Sequence, residues 1–178
     1  ELGGFWVYGN YTNLIPYSDI ASLTGNYCAS NIDLDGSFLI AGMPLSDGLK
    51  YQCGGAVIYK GEDLTGDGIL NWSFSTVLGS SDPGNSDYAG YDVAIDESSA
   101  VAVIGVPGMD YADTNAGAVL PFFFDGFDWR NDMTLISNLP LVEMSAGTSV
   151  DLDGMSLIAG APGFNVSDTP LHVPHVLD

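Results

Sequence analysis

At 178 residues the chain is long enough to bury a core of its own. Its 23 glycines and 46% hydrophobic residues suit many short strands joined by tight turns better than helices. With 23 acidic residues against Lys50, Lys60 and Arg130, the net charge of −20 excludes a phosphate backbone or an anionic lipid surface as a partner and favours cations, basic proteins or neutral sugars.

The chain opens on Gly3-Gly4-Phe5-Trp6-Val7-Tyr8, a strand-like run that reads as the middle of a domain with no signal peptide before it. Residues 28–44 then read CASNIDLDGSFLIAGMP, a strand, an Asp-Gly turn and a second, continuously apolar strand that ends at Pro44. A further strand follows at Gly54-Gly55-Ala56-Val57-Ile58-Tyr59, and another at Asn71-Trp72-Ser73-Phe74-Ser75-Thr76-Val77-Leu78. The order then repeats. Residues 89–107 read AGYDVAIDESSAVAVIGVP, followed by Ala116-Gly117-Ala118-Val119-Leu120 and by a tryptophan-containing strand predicted from Asp128 to Leu135. Residues 146–162, AGTSVDLDGMSLIAGAP, begin a third copy and share D-L-D-G-x-x-L-I-A-G-x-P with the first. The repeat runs to about 60 residues and holds four antiparallel strands, the content of one propeller blade.

The longest apolar run, residues 100–106, is strand-sized and far short of a membrane span, so no membrane insertion is expected within this segment. Three triplets, Asn10-Tyr11-Thr12, Asn71-Trp72-Ser73 and Asn165-Val166-Ser167, are N-glycosylation acceptors and would carry N-linked glycans in a secreted protein. Cys28 and Cys53 are the only cysteines, and a disulfide between them suits the same compartment. The aspartates and glutamate of the hairpins (Asp33, Asp35, Asp96, Glu97, Asp151, Asp153) read as turn formers. Glu62-Asp63-Leu64-Thr65-Gly66-Asp67-Gly68 spaces oxygen ligands around a glycine like half a calcium loop, which makes Asp63 and Asp67 the candidate metal residues; the closing carboxylate is missing. His172 and His175 lie on a non-helical tail and read as loop histidines. No serine sits in a G-x-S-x-G elbow and no cysteine pairs with a histidine as a nucleophile, so the chain is not expected to be an enzyme. Tyr8, Tyr11, Tyr17 and Trp6, and Phe122 to Phe124 with Phe127 and Trp129, are candidates for sugar-stacking platforms or for core.

On these residues the sequence resembles FG-GAP repeat proteins, whose blades combine a hairpin ending in G-A-P, a G-A-V-Y-V-F strand and a tryptophan strand. Ala146-Gly147-Thr148-Ser149-Val150 and Leu157-Ile158-Ala159-Gly160-Ala161-Pro162 carry the first part, and Gly55-Ala56-Val57-Ile58-Tyr59 and Gly117-Ala118-Val119 the second. The aromatic of the "FG" pair is replaced by Cys28, Ala89 and Ala146. The resemblance implies integrin α-subunit-like blades, about three of them in a single segment spanning 1–178, whose ends complete a shared blade in a longer chain or an assembly. It implies an extracellular structural or adhesive glycoprotein that acts on protein partners or copies of itself. No cofactor is required, and calcium would be an optional ligand. A carbohydrate- or calcium-binding propeller module is the alternative.

Overall fold

The structure, a computed structural model, describes residues 29–111 and 113–165. Among them it is all-β, without a helix. One antiparallel sheet holds β1 (Ile32–Asp35), β2 (Phe38–Gly42), β3 (Ala56–Glu62) and β4 (Asn71–Leu78) in chain order. A second repeats the order with β5 (Val93–Asp96), β6 (Val101–Val106), β7 (Ala118–Phe124) and β8 (Trp129–Arg130). A third element is the hairpin β9 (Ser149–Asp153) and β10 (Ser156–Gly160). The three predicted hairpins are all present. Tight turns at Gly36 and Gly154, with φ of 55° and 58°, close the first and third, where a residue with a Cβ would be strained.

The two sheets and the hairpin stack face to face. β6 is apolar throughout because it lies inside the stack with both faces covered; β2 is buried throughout as well, with Phe38 and Ile40 against the second sheet and Leu39 and Ala41 buried with Val57 and Tyr59 on the opposite face. Phe38 and Ile40 of β2 and Ala56 and Ile58 of β3 meet Ala102, Ile104, Leu120 and Phe122 of the second sheet in one cluster. Phe38 meets Phe124 and Trp129 edge-on at 5.4 Å, which anchors the rim of that contact. On its other face the second sheet presents Val101, Val103 and Val119 to Val150, Leu152 and Leu157 of the hairpin. Each fully buried Val, Leu or Ile contributes roughly 1.5–3 kcal/mol, so the two junctions account for much of the fold's stability.

Two expectations fail in detail. The strand predicted over Asp128 to Leu135 is cut to the two residues of β8, followed by a single bridge between Val119 and Leu135. Val119 and Leu135 exchange backbone hydrogen bonds, which places the odd-numbered residues of β7 toward this partner. Pro121 therefore points its missing N–H at the place where the ladder should continue. The Asn131 amide fills part of the gap by donating to the Pro121 carbonyl at 2.6 Å. The shared G-A-V letters also mislead by one residue. Gly54, not Gly55, corresponds to Gly117: each makes a parallel bridge to the next repeat, to Ala89 and Ala146, and the two have φ of 76° and 77°. A slip of one residue exchanges the faces of a strand. Val57 and Tyr59 accordingly match Leu120 and Phe122. The run at residues 3–8 and the blade shared between the ends lie outside the described residues.

Candidate interaction site at the repeat junctions

The junctions are held by a backbone seam that repeats. In the first, Ser86 N–H donates to the Tyr51 carbonyl, Tyr88 N–H to Gln52 and Ala89 N–H to Cys53, at 2.9, 3.2 and 3.0 Å. In the second, Glu143, Ser145 and Ala146 donate to Thr114, Asn115 and Ala116 at 2.8, 2.9 and 3.0 Å. The same left-handed backbone accompanies both, with φ of 48° and 47° at Gln52 and Asn115, 60° and 58° at Ser86 and Glu143, and 56° and 54° at Tyr88 and Ser145. Such conformations cost about 1 kcal/mol or more each for residues with a side chain. Their recurrence at matching positions makes the seam a built feature of the repeat.

Carboxylates add a second fastening. The Asp33 carboxylate accepts the N–H of its neighbour Leu34 at 2.8 Å through one oxygen and that of Ile95, in the next sheet, at 2.8 Å through the other. Asp35 accepts Glu97 N–H at 2.9 Å. One repeat later Asp92 accepts Val150 N–H at 2.8 Å and Asp96 accepts Gly154 N–H at 2.9 Å. Glu97 reaches back to the Ser37 backbone N–H at 3.1 Å and to its hydroxyl. The turn-former reading is thus only half of the finding. Asp96 does organise its own turn through Ser98 and Ser99, but it also ties β5 to the turn between β9 and β10. The N–H of Ser99, the Ser98 hydroxyl and the Gly154 N–H together hold its carboxyl well below the usual carboxylate range. A depressed folded-state value means stability that is complete above about pH 4 and lost as the pH falls below it. The melting temperature of Asp96→Asn should lie below that of the wild type at pH 7, with the difference shrinking as the pH is lowered from about 4 to 2. A difference independent of pH would contradict this role.

Two grooves flank the seam. One, of about 310 Å3, is walled by Tyr88, Tyr91, Asn115, Glu143 and Thr148, with the Asn115 amide donating to Glu143 at 2.9 Å. The other gathers Asp82, Asp87, Asp110 and Tyr111. Burial pushes the Asp87 carboxyl up; the Gly84 N–H pulls the other way, and the charges of Asp110 and Asp82 raise it further.

The sequence-predicted residues do not converge on one place. Asn71 is exposed at the start of β4, and Asn165 is exposed after β10. Asn10 lies outside the described residues, as do Trp6, Tyr8, Tyr11, Tyr17, His172 and His175. Cys53 is buried as a free thiol among the described residues, and its predicted partner Cys28 lies outside them. Asp63 spends both oxygens on its own loop, accepting Gly66 N–H at 2.7 Å, Asp67 at 3.2 Å and Thr65 at 3.3 Å through one and Gly68 at 2.9 Å through the other. The Gly68 N–H contributes most to holding its carboxyl below the ordinary range. Asp67 accepts Ile69 N–H at 2.9 Å. Of the aromatics, Phe122 is core, Trp129 packs on Phe38 and Phe124, and Phe127 stands exposed on a turn. No helix among the described residues is long and apolar enough to cross a membrane. Among known proteins, no family model matches the chain and no curated protein matches it significantly.

Proposed function

We propose that the protein is an extracellular structural or adhesive glycoprotein, built of FG-GAP-like propeller blades, that works through protein–protein contacts of its repeats. The observation that carries this reading is the fastening repeated at both junctions: the backbone seam recurs in register, and so do the turn carboxylates Asp35 and Asp96. Such a stack is a stiff frame for loops, and its carboxylates are occupied in holding sheets together. In this reading further blades complete a ring, Asn71 carries a glycan on an outer strand, and the acidic surface selects basic or neutral partners. Expression behind a secretion signal in eukaryotic cells should yield a chain with hexose mass at Asn71, lost in Asn71→Gln. A surface coated with the native protein should support cell attachment. A secreted chain that is unmodified at Asn71 and supports no attachment would overturn the proposal.

The Tyr88–Tyr91 groove favours a second reading, a carbohydrate-binding module, because two aromatic side chains stand beside amide, carboxylate and hydroxyl groups. Neutral oligosaccharide should then raise the melting temperature, and Tyr91→Ala should abolish the shift. Calcium is expected to leave the melting temperature within about 1 °C of that in EDTA, since the Asp63 oxygens already serve four backbone donors.

A further inference from the structure

The third sheet stops where the other two continue. β2 has β1 on one side and β3 on the other, and β6 lies between β5 and β7, whereas β10 pairs only with β9 among the described residues. Hydrogen-bond parity identifies what its open side offers. The Gly160 carbonyl turns toward the β9 side, where it accepts Gly147 N–H at 2.9 Å, as the Gly105 carbonyl accepts Gly90 N–H at 2.9 Å on the β5 side. Alternation along the strand then points the N–H and C=O groups of Leu157 and Ala159 outward. Their counterparts in β2, Leu39 and Ala41, are paired with Tyr59 and Val57 of β3. β10 reads Ser156-Leu157-Ile158-Ala159-Gly160, with no charge and no proline, so it has none of the side chains that protect an exposed edge from pairing.

The space beside that edge is an open apolar groove of about 300 Å3, lined by Leu135, Ile136, Met144, Leu157, Ala159 and Phe164 among others. One junction earlier the same place is filled. Leu78 pairs with Ala56 as Leu135 bridges to Val119, so the two leucines are counterparts. Leu78 is 2% exposed and shares a cluster with Ala118 and Leu120 of β7, the third strand of the next sheet. Leu135 and Ile136, over which no third strand of the hairpin's sheet lies among the described residues, are 38% and 41% exposed. Edge and groove therefore belong together: one presents unpaired backbone groups, and the other presents the apolar floor on which a strand paired to that edge would rest.

We infer that the free edge of β10 binds an extended strand of a partner protein, added antiparallel, with an aliphatic residue opposite Ala159 and an aromatic residue opposite Leu157, both seated in the groove. The chemistry of that strand is read from the two that fill the place inside the chain. β3 sets Val57 opposite Ala41 and Tyr59 opposite Leu39, and β7 sets Leu120 opposite Ile104 and Phe122 opposite Ala102. Leu157 and Ala159 each donate and accept one backbone hydrogen bond across the new ladder, which supplies affinity, while the groove selects the alternate side chains. β10 is uncharged and the chain carries a net charge of −20, so the strand it accepts is neutral or basic. This inference rests on the reading of the chain as a protein that acts through contacts of its repeats, and it names the chemistry of the partner.

A blocked synthetic peptide carrying residues 54–61, titrated into the full chain, tests it, because that stretch offers Val57 and Tyr59 at the two groove positions and Lys60 as a positive charge. Binding is read by the anisotropy of a labelled peptide, and amide hydrogen exchange locates it. Exchange at Leu157 and Ala159 should be fast in the free chain and slow on binding by about tenfold or more. N-methylation of the peptide at Val57 or Tyr59, whose N–H groups face the edge, should weaken binding about tenfold, as loss of a hydrogen bond implies. N-methylation at Ile58, whose N–H faces away, should change it by no more than about twofold. In the chain, Ala159→Pro removes an outward N–H at a place where an edge strand tolerates proline, and it should weaken binding about tenfold as well. Circular dichroism checks that this variant folds; if it does not, the N-methylated peptides decide, since they leave the chain unaltered. No saturable binding, equal losses from N-methylation at Val57 and Ile58, or amides at Leu157 and Ala159 already protected in the free chain would each overturn the inference. A chain that is glycosylated and supports cell attachment yet binds no peptide would sink the strand addition and leave the broader reading standing.

Discussion

Replacing Gly105 with alanine should cost about 3 kcal/mol or more of folding stability, against about 1 kcal/mol for the same change at Gly66. A Cβ on Gly105 would stand 1.9 Å from the carbonyl oxygen of Gly147 in the next repeat, and the obstacle is backbone, which cannot rotate away. Gly42 makes the same approach one repeat earlier, where a Cβ would lie 2.1 Å from the Gly90 carbonyl oxygen. Accommodating the methyl at Gly105 requires the second sheet and the β9–β10 hairpin to separate, which strains the cross-junction bonds from Ser145 and Ala146 to Asn115 and Ala116 and from Val150 to Asp92, and loosens the Val103–Val150 packing. Gly66 is the control of opposite kind: its φ of 74° strains an alanine, but nothing stands within 4 Å of the new atom. Urea unfolding measures both changes, and amide exchange locates them. In Gly105→Ala, protection should fall at β9 and β10 first, with the junction between the two four-stranded sheets retained. Equal losses at the two glycines would mean that the repeats are not packed at backbone distance.

The repeat was legible in the sequence because it rests on local chemistry. An acid at each hairpin turn, continuous apolar strands and a glycine before each x-Pro are written in consecutive letters, and all three hairpins form where that pattern stands. What was not legible depends on the register between repeats. Gly54, Gly55 and Gly117 are equivalent as letters, and only the bridges to Ala89 and Ala146 decide which pair corresponds. The strand expected over Asp128 to Leu135 falls short for a non-local reason, since the proline that interrupts its ladder lies in the neighbouring strand, at Pro121. Asp33 and Asp96 were recognised as turn residues from their own surroundings, whereas their partners Ile95 and Gly154 lie about one repeat away. A signal for that role existed in the recurrence of acid at Asp35, Asp96 and Asp153, in a repeat whose turns differ in length. An acid needed only by its turn has no reason to persist when the turn lengthens. Oxygen spacing alone made Asp63 a candidate ligand, whereas the bonds its oxygens accept from the N–H groups of their own loop depend on how the loop backbone folds.

Equivalent isoleucines in the first and third repeats should respond very differently to truncation. Ile40→Ala is expected to cost about 2–5 kcal/mol, because the side chain is fully enclosed between the two sheets with Ile58 and Ile104 in the same cluster, and its loss leaves a cavity that close-packed strands cannot refill. Ile158→Ala, at the corresponding position of β10, should change stability by no more than about 0.5 kcal/mol when measured in dilute solution, since its side chain is already largely in water. The comparison removes intrinsic propensity from the question: the residue, the strand type and the place in the repeat are the same, and only the covering sheet differs. Chemical denaturation of the two variants reads both costs. A large cost at Ile158 would place a covering element on the hairpin within the same chain. A small cost at Ile40 would instead mean that the first and second sheets are not packed face to face, and the stacking on which both junctions depend would have to be abandoned.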